Sequence, residues 1–274
     1  MVITDLDGTL LGTGGAISAT NLATLADLGR QHILRVIATG RSLYSARRVL
    51  DPAFPIDYLI FSSGAGIMDW HTQRLLAVHH LSEAEITAAV NLLIAHELDF
   101  MIHHPIPDNH YFAYRATGQA NPDFVRRRQR YEAFASPLNL AASGFTQASQ
   151  LLAIDPRHGA QSEYDLIKAQ LPMLKVIRST SPTDGISTWI EIFPPAVSKG
   201  LASAWLARKH AVAPAAALAV GNDYNDLDLL QWAGHRFVVG NAPADLKHTY
   251  CAVRSNDDDG FTEAVTLWRK RSSL

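Results

Sequence analysis

Val2-Ile3-Thr4-Asp5-Leu6-Asp7-Gly8-Thr9 is the stretch on which the reading of this chain turns. Val2-Ile3-Thr4 is a β-branched run, the composition of a short strand. On an extended backbone, residues two apart point the same way, so Asp5 and Asp7 start on a common side where the strand ends. The turn at Gly8 can re-aim the second of them. Two neighbouring carboxylates repel, and a bound cation is a natural way to hold both ionised. Alone, Asp-x-Asp-Gly reads as a strand followed by an Asp-Gly turn. An EF-hand does not fit, because the twelfth loop position counted from Asp5 is Ala16 rather than Glu. The stretch Gly12-Thr13-Gly14-Gly15 is not set between a strand and a helix as a dinucleotide fingerprint requires, and reads as a loop.

Outward from this stretch, strands and helices alternate. Residues 18–31 predict a helix, with Leu22, Leu25, Ala26 and Gly29 on one face and Ser18 or Thr20 as its cap. A strand at Leu34–Ala38 follows, then a helix from about Leu43 and a strand at Tyr58–Phe61. That order predicts right-handed βαβ units and a parallel sheet. The middle of the chain differs. Ser82 and Glu85 form a capping box ahead of an Ile86, Val90, Leu93, Ile94 stripe. Short strand-like pieces follow, with a basic stretch, Arg126–Arg130, that reads as a solvated helix face. Alternation returns with a strand at Trp189–Ile192, a helix over 198–209 with Leu201, Trp205 and Leu206 inward, and strands at Ala217–Val220 and Phe237–Val239. The expected fold class is α/β: a Rossmann-like, three-layer parallel-sheet core formed by 1–81 and 189–274. An α+β module at 82–188 is inserted into it.

Composition excludes several functions. The 274 residues carry 24 Lys+Arg against 26 Asp+Glu, a formal net charge of −2, so there is no global field for nucleic acid or an anionic membrane. One cysteine, Cys251, rules out an intramolecular disulfide framework and a Cys-rich zinc site. The first residues show no basic or apolar leader, and the longest apolar run, Val212–Val220, contains Pro214 and is too short for a bilayer. The expectation is a cytoplasmic protein with neither a nucleic-acid nor a membrane partner. Oligomeric state has no signature in the sequence.

Three further clusters stand out, two of them at strand ends, where open parallel sheets bind ligands. Thr39-Gly40-Arg41 follows the second strand, and a hydroxyl beside a glycine at a helix start can bind an anion. Lys199 stands just inside a helix N-terminus, where the helix dipole disfavours it unless an anion is near. Gly221-Asn222-Asp223-Tyr224-Asn225-Asp226 is denser in Asx residues than a turn needs, and its oxygens suit a hard cation.

Taken together and in this order, these clusters resemble the haloacid dehalogenase (HAD) superfamily, most closely its Cof-like, type IIB phosphatases. The resemblance extends through Leu10-Leu11, Ser63-Gly64-Ala65, Ser198-Lys199-Gly200, Gly240-Asn241-Ala242 and Asn256–Gly260. It implies a Mg2+-dependent phosphatase acting through an aspartyl-phosphate on small phosphorylated metabolites, with sugar phosphates leading. Asp5 would be the nucleophile and Asp7 the general acid and base. Leu6 (through its backbone), Thr39, Gly40, Lys199 and Asn225 would bind phosphate. Asp5, the Asp7 carbonyl and Asn222 would hold the metal, with Asp223 the alternative to Asn222 and Asp226 in support. The inserted module stands where that branch carries its cap, the part that sets substrate specificity. His103, His104, Tyr111 and Arg115 lie there at strand spacing and read first as packing or surface. Two departures stand out: the family usually has Asp at the position of Asn222, and often Asn at that of Ser63. The alternatives are a phosphotransferase or phosphomutase on the same intermediate and a catalytically silent phosphometabolite-binding protein.

Overall fold

The computed structural model describes residues 1–139, 144–157 and 161–272. Along the chain the strands are β1 (Val2–Thr4), β2 (Arg35–Ala38), β3 (Tyr58–Phe61), β4 (Gly66–Asp69) and β5 (Arg74–Val78). Next come β6 (Leu81–Ser82), β7 (Asp99–His103), β8 (Phe112–Arg115), β9 (Ala135–Pro137), β10 (Gln147–Ala148), β11 (Gln150–Asp155), β12 (Lys175–Thr180) and β13 (Thr188–Phe193). The last are β14 (Leu218–Gly221), β15 (His235–Val238) and β16 (Cys251–Ala252). The helices are α1 (Ala19–Arg30), α2 (Leu43–Ala46), α3 (Glu83–Ala95), α4 (Pro122–Arg130), α5 (Gln161–Gln170), α6 (Lys199–Lys209), α7 (Leu227–Trp232), α8 (Ala244–Thr249) and α9 (Gly260–Ser272).

One sheet has the order β16-β15-β14-β1-β2-β3-β4-β5. It is parallel from β16 to β3, and β4 turns back antiparallel on β3. The first strand lies at its centre: Thr4 pairs with Val220 on one side and Ile37 on the other. Chain order runs outward from β1 in both directions, so the carboxyl ends of β1, β2 and β14 emerge side by side at the switch point of a doubly wound sheet. Ile3, Val36, Ala219 and Val238 pack under α6, α7 and α8 through Leu206, Leu229, Leu230 and Leu246. On the other face α1 and α9 pack together, burying Leu25, Leu28, Phe261 and Val265. These are the three layers that strand and helix alternation predicts.

Ser18 caps α1 by accepting from the Asn21 amide at 3.0 Å. In α6 the inward face is Ala202, Ser203, Leu206 and Ala207; Leu201, expected inside, is 47% exposed. The helix expected from Leu43 is a single turn, too short to bring a strong dipole to Thr39-Gly40.

The second unit comprises Ser42–Tyr44 and Val78–Val197. Its sheet has the order β12-β13-β11-β7-β8-β9, antiparallel except for the β8–β9 pair. The capping box forms at α3, with Ser82 N donating to Glu85 Oε2 at 2.7 Å. Ile86, Leu93 and Ile167 cover one face of this sheet, and Phe124 of α4 packs with Met101, Leu152, Ile154 and Trp189 on the other. The basic stretch is not wholly a solvated face, because the Arg127 guanidinium lies 4.5 Å from the centre of the Trp189 ring. His103 is buried, with Nδ1 2.8 Å from the Asn109 carbonyl oxygen, and the His104 ring meets Tyr111 edge-on.

One strand lies in the other sheet from that expected. Trp189–Ile192 reads as the return to the core, yet β13 sits between β11 and β12 of the inserted sheet and pairs antiparallel with both. The first unit resumes only at Ser198. A hydrophobic strand carries no local mark of the sheet it joins, because pairing is a long-range choice. Among the described residues no helix is long and apolar enough to cross a membrane.

Leu206 is fully buried beneath the core sheet and away from the strand ends. Leu206→Ala should lower the unfolding free energy by about 2–5 kcal/mol. Chemical denaturation beside the wild type measures this, and a loss below about 1 kcal/mol would show that the α6–sheet interface is not close-packed.

Candidate active site

Asp5 leaves the end of β1 buried, its amide donating to the Val220 carbonyl at 2.9 Å. Lys199, the first residue of α6, is fully buried beside it. Its Nζ donates to Asp5 Oδ1 at 2.7 Å, to Asp226 Oδ1 at 2.7 Å and to Asn225 Oδ1 at 3.3 Å. Burial alone would lower the lysine pKa, but Asp226 and Asp5 outweigh it and hold the ammonium charged. Asp5 is pushed up to about 7, first by burial, then by the charges of Asp226 and Asp7, with Lys199 opposing. One cation shared by two buried carboxylates leaves the pocket anionic, which favours a further cation.

The Gly221–Asp226 run divides into separate jobs. Asp226 is fully buried; its Oδ2 accepts from the amides of Asn222 at 2.9 Å and Asp223 at 3.2 Å, while its Oδ1 takes Lys199. The Asp223 carboxylate reciprocates by capping the Asp226 amide. Gly221 is needed for this closeness: a Cβ there would lie 2.6 Å from Asp226 Oδ2.

Asn222 faces the loop that carries Asp5, Asp7 and Thr9. One end of its side-chain amide lies 3.1 Å from Thr9 Oγ1, 3.2 Å from the Asp7 carbonyl oxygen and 3.2 Å from Asp5 Oδ2. With nitrogen at that end, all three lie within reach of its two N–H donors. With oxygen there, oxygens of Asn222, Asp7 and Asp5 converge, the donor set of a hard cation. The amide end stands 3.2 Å from each of the other two oxygens, close to the roughly 3 Å between adjacent oxygen ligands of a small hard cation. The residues present therefore fit a Mg2+-sized ion. Among the described residues no three His, Cys, Asp or Glu side chains form a metal cluster, and this set instead mixes carboxylate, main-chain carbonyl and amide.

The Asp7 side chain is 41% exposed and is gripped by Arg41, with Nε to Oδ2 at 2.8 Å and Nη2 to Oδ1 at 2.6 Å. Motif reading singled out Thr39-Gly40 and left Arg41, the next residue, without a role; its adjacency was the available signal. Thr39 is buried, its Oγ1 accepting from the Arg41 amide at 3.1 Å and its carbonyl accepting from Ser63 N at 3.0 Å. Gly40 stands close to the Asn225 amide and Ser63, since a Cβ on it would lie 3.9 Å from Asn225 Nδ2 and 3.5 Å from Ser63 Oγ. Gly64 has φ 108°, and its missing side chain makes room for the Ser198 carbonyl, 2.5 Å from where a Cβ would stand. Leu6 is buried, and its carbonyl accepts from the Leu11 amide at 2.8 Å, folding the chain back just after Asp5. Asp5, Asp7, Asn222, Asn225, Asp226 and Lys199 are thus linked by direct contacts, with Thr39 and Gly40 alongside.

The family model for haloacid dehalogenase-like hydrolases matches residues 2–265. The chain belongs to that family. It is 26% identical to 5-amino-6-(5-phospho-D-ribitylamino)uracil phosphatase YwtE of Bacillus subtilis, over 93% of each chain. It is 25% identical to the HMP-PP phosphatase of Serratia proteamaculans, over 89% of this chain and 84% of the relative. Among solved structures it is similar to the HAD phosphatase BT1666 of Bacteroides thetaiotaomicron, with a TM-score of 0.79 and 18% identity, covering 97% of this chain and 94% of that one. It is also similar to the HAD subclass IIB sugar phosphatase BT4131, with a TM-score of 0.77 and 16% identity, covering 97% and 98%. These two share the fold of this hydrolase.

Lys199→Met should cost about 3–5 kcal/mol at pH 8 in the absence of metal, because it strands two buried carboxylates. The lysine's own contribution is constant from pH 5 to 8, since its pKa is raised from an already high value. Asp5, raised above its unfolded value, opposes folding increasingly as pH rises from about 4 through 7, and more so without Lys199. The deficit should therefore shrink towards pH 5. Thermal melts across that range read it, and a deficit that grows on acidification would refute this account of the charge balance.

Proposed function

We propose that this hydrolase is a Mg2+-dependent phosphatase of small phosphorylated metabolites, with sugar phosphates the leading class. The observation that carries the reading is the division of the Asp5 carboxylate. One oxygen is held by a fully buried ammonium, and the other is turned towards an oxygen set that fits a hard cation. A carboxylate nucleophile must be ionised and aimed: Lys199 aims Asp5 and opposes the upward push of burial, and a bound cation would complete the ionisation. The names of the relatives are consistent with the substrate class, since each acts on a small phosphorylated molecule.

In this mechanism an Asp5 oxygen attacks phosphorus. The bond from phosphorus to the ester oxygen breaks, and the leaving alkoxide takes a proton from Asp7. Water then attacks the aspartyl-phosphate, gives its proton to Asp7 and frees phosphate and the Asp5 carboxylate. Lys199, Thr39, Gly40, Asn225 and the Leu6 amide bind the phosphoryl oxygens and stabilise the transferring group. Arg41 grips the Asp7 carboxylate through two bonds, and this fork must open for Asp7 to carry a proton. Asp5, the Asp7 carbonyl and Asn222 are the residues that would hold Mg2+. When bound, the ion supplies positive charge that offsets repulsion between an anionic nucleophile and an anionic phosphate. Asp223 is occupied as a turn cap and Asp226 by Lys199 and two amides, so both support the site from behind.

Asp5→Asn should abolish turnover with the fold retained, since an amide is a poor nucleophile of nearly the same shape. A panel of phosphometabolites with released phosphate as readout tests it. Turnover within about tenfold of wild type, a barrier change of only about 1.4 kcal/mol, would remove Asp5 from the role.

The metal assignment separates two neighbours. Asn222→Ala should raise the Mg2+ requirement by roughly 10–100-fold, and Asp223→Ala should change it far less. Titrating activity with Mg2+ for both variants decides the matter. The reverse ranking would make Asp223 the ligand.

A further inference from the structure

The motifs Gly240-Asn241-Ala242 and Asn256–Gly260 have no part in the chemistry above, yet both touch the loop that carries Asp7. After Asp7 the chain turns back, and Asp7 and Leu11 form a β-bridge across the turn. Asn241 Nδ2 donates to the Gly8 carbonyl at 2.8 Å, and Asn241 Oδ1 accepts from the Asn256 amide at 3.0 Å. Asn256, only 7% exposed, donates through Nδ2 to the Leu11 carbonyl at 3.0 Å. The two carbonyls so held, Gly8 and Leu11, bracket the turn. An asparagine amide carries both donor and acceptor, so two of them in series can join two carbonyls that could not bond to each other.

Beyond the turn, Gly12, Gly14 and Gly15 make a segment that is entropically costly to order. Thr13 is the one residue among them with a side chain. Its amide and hydroxyl both donate to Asp257, at 2.7 and 2.6 Å. Gly12 passes so close that a Cβ would lie 2.8 Å from Asp257 Oδ1. The contacts therefore continue along the loop from the Asp7 turn to its tip.

We infer that Asn241 and Asn256 are positioning residues for Asp7, with Asp257 fastening the loop beyond it. Neither asparagine reaches the reacting atoms; they act by fixing the turn from which the Asp7 side chain projects. A general acid displaced by a fraction of an ångström transfers its proton less well, and the penalty is largest for leaving groups that need the proton most. The inference rests on the phosphatase reading for its catalytic half only.

The test compares Asn256→Ala and Asn241→Ala with Asp7→Asn on an alkyl phosphate and on p-nitrophenyl phosphate, in Mg2+. Both alanine variants should lose roughly 10–100-fold in kcat on the alkyl ester, with KM within about threefold, and several-fold less on the aryl ester, as Asp7→Asn does. The double variant should be little worse than the poorer single, because the two residues form one chain. Asn241 is exposed, so its variant probes the contact without opening the interior. Equal losses on both esters, or none on either in folded protein, would overturn the inference. Amide hydrogen exchange across residues 8–13, without substrate or metal, keeps the two readings distinct. Faster exchange in both variants would uphold the clamp even if the wild type hydrolysed neither ester, and that inactivity would count against the phosphatase reading instead. Unchanged exchange would overturn the clamp whatever the activity.

Discussion

A single ammonium group shared between two buried carboxylates organises this protein. Lys199 has no exposure to water and lies 2.7 Å from oxygens of both Asp5 and Asp226. Taking three charges out of water is costly, and the cost is offset only while all three stay together. That requirement ties β1, the start of α6 and the turn after β14 to one point, although they lie in distant parts of the chain. It also leaves the cluster one positive charge short; burial first, and then the neighbouring carboxylates, push Asp5 up to about 7, and a cation-sized oxygen set beside it makes electrostatic sense.

Around that point the acidic residues take unlike roles because their surroundings differ. Asp5 is buried and aimed, whereas Asp7, two residues later, is 41% exposed and held by an arginine fork. Asp226 spends one oxygen on two backbone amides and the other on Lys199, and with the Asp223 cap it builds the turn that presents Asn222. Composition treats these as four equivalent carboxylates. Burial and hydrogen bonding separate a buried, aimed carboxylate, an exposed one and two that build a turn. The neutral Asn222 adds a feature that an aspartate would lack. Its amide can donate to the Asp5 carboxylate with nitrogen forward, or face a cation with oxygen forward, without adding a further negative charge to a pocket already short of positive charge.

The rigid frame beneath the site comes from the parallel sheet. Strand ends are fixed by pairing on both sides, so the residues just beyond them are placed more firmly than loop residues usually are. The turn after Asp5 lacks that support. It is braced from outside by side chains of the C-terminal segment, and Leu11 and Asn256 lie 245 residues apart in sequence.

Much of this was already determined by the amino-acid order. β-branched runs followed by helical periodicity specify parallel βαβ units, and open parallel sheets put ligands at strand carboxyl ends. Asp5, Thr39 and the Gly221–Asp226 run each follow a strand directly, so their meeting at one edge follows from local pattern. The capping box at Ser82 and the Ser18 cap were legible for the same reason, since both are contacts within one turn. Tertiary structure alone decided the rest. Whether Asn222 or Asp223 faces Asp5 depends on the rotation of one turn, which Asp226 fixes through its bonds to Lys199 and two amides. The Arg41 grip on Asp7 spans 34 residues. Strand Thr188–Phe193 joins the inserted sheet because both of its partners lie there, a choice that its own residues do not encode. Periodicity records which side of an element is apolar; it carries no record of which distant surface will cover that side.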